Sequence, residues 1–87
     1  MLTPAQARMA RAAIRLSVRD VAERLAISPN TLTKVEAGGS SYRSTLATLR
    51  RFYEGEGLVF VEGDGMGPGV RLKQEPETDT DEDGKDG

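Results

Sequence analysis

Cysteine, histidine and tryptophan are missing altogether from this 87-residue chain, and two tyrosines and two phenylalanines supply all of its aromatic rings. Without cysteine there is neither a disulfide framework nor a thiolate metal site, and a reducing compartment is compatible with that usage. Without histidine the commonest general base, the commonest metal ligand and the usual switch near neutral pH go together. No clustered nucleophile and base remains, so the chain is not expected to be an enzyme, and no metal or cofactor is expected. No apolar run approaches the roughly 20 residues that cross a bilayer, and the first stretch, MLTPAQARMARAAIRLS, lacks the apolar centre of a secretory signal. The expectation is a soluble, cytoplasmic protein with no membrane partner. A chain this short has room for one small core, because only a little over half of its unfolded surface can be buried.

Charge is present in quantity but unevenly. Residues 1–53 carry nine Lys/Arg against three acids, a net of +6, whereas residues 54–87 carry three against eleven, a net of -8. The formal total of -2 therefore conceals a basic front half suited to a polyanionic partner. The sequence pI of about 5.1 averages two opposed parts and does not argue against such a partner.

Helix signals dominate the front half. Thr3-Pro4-Ala5-Gln6 places an N-cap, a proline at the first helical position and a glutamine where a capping box closes, opening a helix expected to reach about Arg15. Met9, Ala12, Ala13 and Leu16 recur at helical spacing and predict its inner face, with Arg8, Arg11 and Arg15 as a second row. Ser17 and Asp20 form a second capping box, followed by Val21, Ala22 and Leu25 on one face. Ser28-Pro29 restarts the chain as a third helix, leaving only Ala26 and Ile27 as connection; Leu32 and Val35 point inward and Gly38-Gly39 ends it. A fourth helix is expected over about 44–54, with Leu46, Leu49 and Phe52 or Tyr53 facing the core. Beyond Gly55 and Gly57 the period changes: 58–61 (LVFV) and 70–73 (VRLK) read as an antiparallel hairpin around a glycine-rich loop. From Gln74 onward seven acids (Glu75, Glu77, Asp79, Asp81, Glu82, Asp83, Asp86) face one lysine with no aliphatic or aromatic residue, which predicts disorder.

The stretch 18–37, VRDVAERLAISPNTLTKVEA, resembles the twenty-residue helix-turn-helix of the lambda-repressor/Cro (XRE-like) family. Apolar Val21, Leu25, Ile27, Leu32 and Val35, with small Ala22 where the two helices would cross, carry the likeness, and it extends over about two-thirds of the chain. The fold implied is mostly α: a four-to-five-helix lambda-repressor-like bundle over 1–57, a β-hairpin extension over 58–73 serving as a candidate dimerisation element, and a disordered acidic tail over 74–87. The resemblance also implies a partly buried ion pair between Arg11 and Glu36. If the third helix docks as in that family, Ser28, Pro29, Asn30, Thr33 and Lys34 meet base edges in the major groove of double-stranded DNA, Asn30 being suited to adenine. Ser17, Arg19, Thr31, Tyr42, Arg43 and Ser44 would then hold phosphates. Two positions depart from the family: Val18 stands where glutamine is usual, and Ala26 where the turn glycine is usual.

Two functional classes follow. The first is a sequence-specific, dimeric transcriptional regulator of bacterial or phage type, nucleoid-associated when bound. The second is an antiactivator-like or antitoxin-like module that turns the same scaffold on a protein partner, which Val18 and the acidic tail favour. The loop over 62–69, EGDGMGPG, precedes a strand and lacks a following Lys-Ser/Thr, so it reads as a hairpin loop and not a phosphate cradle. The tail reads either as an inert solubilising extension or as an electrostatic competitor for the basic surface.

Overall fold

The computed structural model describes residues 1–63 and 65–73; the acidic tail expected to be disordered lies outside them. Four helices run in order, α1 (Pro4–Ala13), α2 (Val18–Leu25), α3 (Pro29–Ala37) and α4 (Arg43–Gly55), followed by strands β1 (Leu58–Val61) and β2 (Gly69–Leu72). The chain is thus mostly helical, with one two-stranded antiparallel sheet in which Leu58 faces Leu72 and Phe60 faces Val70. No described helix is long and apolar enough to cross a membrane.

Local chemistry sets the helix boundaries. Thr3 caps α1 and Ser17 caps α2, each closing a reciprocal box with Gln6 and Asp20 respectively. Ser28 caps α3 through its hydroxyl, which accepts from the Thr31 amide. The three residues between α2 and α3 turn the chain at Ala26, whose φ of 56° is left-handed at a cost of about 1–2 kcal/mol for a residue with a Cβ. Gly38 ends α3 in the same region at φ 88°, where glycine carries no such cost. Helix α1 stops at Ala13, short of the expected Arg15, because Arg15 itself turns left-handed at φ 60° and the Leu16 amide closes back on the Arg11 carbonyl.

The face of α1 that enters the core also differs from expectation. Met9, Ala12 and Ala13 are exposed, whereas Gln6, Ala7 and Ala10 are buried. Spacing predicts the row Met9, Ala12, Ala13 and Leu16, but Ala7, Ala10 and Ile14 also recur at three and four and form a second, smaller row. The small row faces inward because α1 packs against α3, α4 and β2 at once, where short side chains allow close approach. The remaining core is Leu2, Val21, Leu32, Val35, Leu49, Tyr53, Leu58 and Phe60, so the hairpin shares one continuous core with the helices. Of the two ring positions on α4, Tyr53 is fully buried and Phe52 partly, their centroids 5.3 Å apart.

Gln6 is the polar exception inside this core. Its Oε1 accepts from the Thr3 amide at 3.0 Å, while its Nε2 donates to the carbonyls of Val61 (3.1 Å) and Gly69 (3.0 Å), the pair that closes the hairpin next to its loop. One amide thus satisfies a helix N-terminus and pins the sheet to α1. Gln6→Ala should destabilise the protein by about 2 kcal/mol, because it strands these buried partners. In hydrogen exchange the hairpin amides of residues 58–61 and 69–72 should lose protection ahead of α2 and α3; uniform loss over all elements would remove this role for Gln6.

Candidate nucleic-acid interface

Charges in this molecule divide into those locked into structure and those left to solvent. Arg11 on α1 grips Glu36 on α3 in a two-pronged ion pair, Nε to Oε2 at 2.7 Å and Nη2 to Oε1 at 2.9 Å, and its Nη1 donates to the Leu16 carbonyl at 3.1 Å. Arg8 donates to the Glu36 backbone carbonyl. The Glu36 side chain is only 8% exposed, and its hydrogen bonds raise the affinity of the Arg11 guanidinium for its proton against the opposing effect of burial. Arg50 on α4 is likewise engaged, with Glu54 at 3.0 Å, with Glu62 at 3.7 Å, and over the Phe60 ring at 5.3 Å. Among the described residues, no ion pair uses Arg19, Lys34 or Arg43.

Helix α3 turns Leu32, Val35 and Glu36 into the protein and leaves Pro29, Asn30, Thr33, Lys34 and Ala37 exposed. At about 100° per residue these five fall within one continuous arc, and none of them serves the core. Ser28 and Thr31 are tied to each other, hydroxyl to hydroxyl at 3.1 Å. Asn30, Thr31, Lys34 and Tyr42 line one shallow groove together with Ser40, Ser41 and Thr45. Those last three were not singled out in the sequence; Ser40 and Ser41 lie in the connection after Gly38-Gly39, and Thr45 in the first turn of α4. Tyr42 is 82% exposed. Arg43 sits one residue on, as the first residue of α4, and its side chain lines a different, apolar groove with Leu2, Leu46 and Arg50; Ser44 is exposed beside it.

Helix N-termini sharpen this division. The first turns of α1, α3 and α4 contain no acid, so the partial positive charge of each is uncompensated by a carboxylate there. At α2 the Asp20 carboxylate accepts from the Ser17 amide, which holds its pKa below the ordinary aspartate value. Ser17 is thereby committed to capping, while Arg19 is exposed in the same turn. Val18 is partly buried against the core and has no side-chain donor to offer.

Tyr53 reaches into the centre from α4. Its hydroxyl is buried without a hydrogen-bond partner among the described residues. Burial first, and the Glu36 charge second, push its pKa up to about 12, with Arg11 pulling the other way. Among the described residues no group of side chains is arranged to hold a metal ion. The chain matches no protein-family model and no curated protein at a significant level.

Two outcomes follow from the buried polar centre. Arg11→Ala should cost on the order of 3 kcal/mol in urea denaturation, because it leaves the Glu36 carboxylate buried without its partner. The double substitution Arg11→Met with Glu36→Leu should cost much less; equal costs would mean that the charges contribute no more than packing. For Tyr53, the folded chain keeps its proton to about pH 12, whereas the unfolded chain ionises near 10. Its stabilising contribution is therefore complete below pH 10 and is lost as pH rises from about 10 to about 12. Tyr53→Phe should remove about 2 kcal/mol of that alkaline loss and leave stability at pH 7 unchanged or slightly raised. Parallel alkaline profiles for the two proteins would contradict this.

Proposed function

We propose that the chain is a sequence-specific DNA-binding regulator of the lambda-repressor/Cro type, reading the major groove with α3. The observation that carries this reading is the exposed arc of α3, joined to α2 by a three-residue turn, packed against it, and free of any core duty. Asn30 offers a carboxamide that pairs bidentately with adenine, Lys34 a cation for guanine or phosphate, and Ser28, Pro29 and Thr33 complete the docking face. Tyr42, Ser44, Thr31 and the uncompensated N-termini of α3 and α4 suit phosphate contacts, as do Arg19 and Arg43. Ser17 contributes to the backbone contact through its hydroxyl proton alone. A second copy pairing along the hairpin over 58–73 would set the spacing of two recognition helices.

A second reading rests on Val18, whose apolar side chain packs inward at the helix start where a donor to phosphate is usual in that family. Under it the same face of α3 meets a protein partner.

Selection from a random duplex pool with the full chain decides between them. Enrichment of a motif is expected, with log affinity falling by about 0.9 for each phosphate contact per decade of salt. Asn30→Ala should relax the motif at one or two positions at a cost of about 1–3 kcal/mol, whereas Arg19→Gln should weaken all sequences alike. No enrichment at low salt from a folded protein would discard the DNA reading in favour of the protein partner.

A further inference from the structure

Resting on the proposed DNA reading, we infer that residues 74–87 occupy the exposed face of α3 in the absence of DNA and act as a competitor built into the chain. Residues 1–73 carry a net charge of +4 and residues 74–87 a net charge of -6, so the two parts are complementary in sign and nearly in size. Within the described part, most carboxylates near the helices are already committed: Glu36 to Arg11, Asp20 to its capping box, Glu54 and Glu62 to Arg50. The cations Arg19, Lys34 and Arg43 are in none of these pairs, nor are Arg15, Arg24, Arg51, Arg71 and Lys73, and of the four helices only α2 has an acid in its first turn. The face is therefore open to an anion from elsewhere, and the seven carboxylates of 74–87 are the largest supply in the chain.

Reach permits the contact. The last described residue, Lys73, is anchored by its amide to the Gly57 carbonyl at 2.7 Å, at the foot of the hairpin. Fourteen further residues span at most about 46–50 Å when fully extended, comparable to the longest molecular extent of 47 Å. A tether of this length presents its charge at an effective concentration of roughly millimolar, enough to compete with weak, non-specific duplex but not with a specific site. The absence of aliphatic and aromatic residues after Gln74 makes the contact electrostatic, hence sensitive to salt, and leaves the apolar groove beside Leu2 and Leu46 unsuited to this segment. The consequence for function is selectivity: the segment raises the threshold that a DNA sequence must pass.

The chain's lack of cysteine gives a direct test. A nitroxide on Gly87→Cys of the full chain should broaden the amide resonances of Asn30, Lys34 and their neighbours at about 20 mM salt, and this should vanish at 1 M salt. It should also vanish when all seven carboxylates of 74–87 are replaced by their amides (Glu→Gln, Asp→Asn). That neutralised full chain should bind random duplex at least about tenfold more tightly at low salt, with the difference shrinking below about twofold at 0.5 M. Broadening that is absent, or centred away from α3, overturns the inference, as does an unchanged affinity for random duplex. If the broadening is seen but neither form binds any duplex, the contact stands and the DNA reading falls.

Discussion

Arg11 is the point on which three turns of this chain converge. Its guanidinium holds both oxygens of Glu36 on α3 and the Leu16 carbonyl at the entry to α2, while Arg8 from the same helix takes the Glu36 carbonyl. Helix α3 is only nine residues long, too short to persist alone in water. Its orientation comes from this clasp together with Leu32 and Val35. A planar group with five donors in a fixed fork suits such a junction, whereas the lysine ammonium, with three donors and no fork, does not match a carboxylate bidentately.

The core around it is made from few large residues. Alanines at positions 7, 10 and 22 let helices approach closely, and Tyr53 fills the centre from α4, its ring 6.4 Å from that of Phe60 on β1. With so little apolar volume, the hairpin is a part of the core and not an appendage. Leu58 and Phe60 bury themselves against the helices, Gln6 and Arg50 pin the strands, and the Lys73 amide closes the sheet at its foot. The unpartnered Tyr53 hydroxyl is one cost of that arrangement at neutral pH.

Sorting the charges into locked and open sets is what gives the exposed face of α3 its meaning. Summed along the sequence, the front half is simply basic. In three dimensions Arg8, Arg11 and Arg50 are spent on the fold; among the cations in no ion pair of the described residues, Arg19 and Arg43 stand at helix starts and Lys34 in the last turn of α3. An anionic partner would meet side-chain charge and backbone amides together, which is the physical basis of both the proposed DNA reading and the competing role inferred for residues 74–87.

Capping boxes, prolines at helix starts and Gly38 determined by local chemistry where α1, α2 and α3 begin and where α3 ends, because each satisfies backbone groups within a few residues of itself. The inward residues of α2 and α3 and the two strands were legible for the same reason, their periodicity being unambiguous. The inner face of α1 was not: spacing favoured the row with Met9 and Ala13, whereas simultaneous packing against α3, α4 and β2 selected the smaller Ala7 and Ala10. Nor could the sequence show that Gln6 bonds residues more than fifty positions away, or that Ser40, Ser41 and Thr45 share a groove with Asn30 and Lys34. Those are long-range facts, decided by how elements dock once formed.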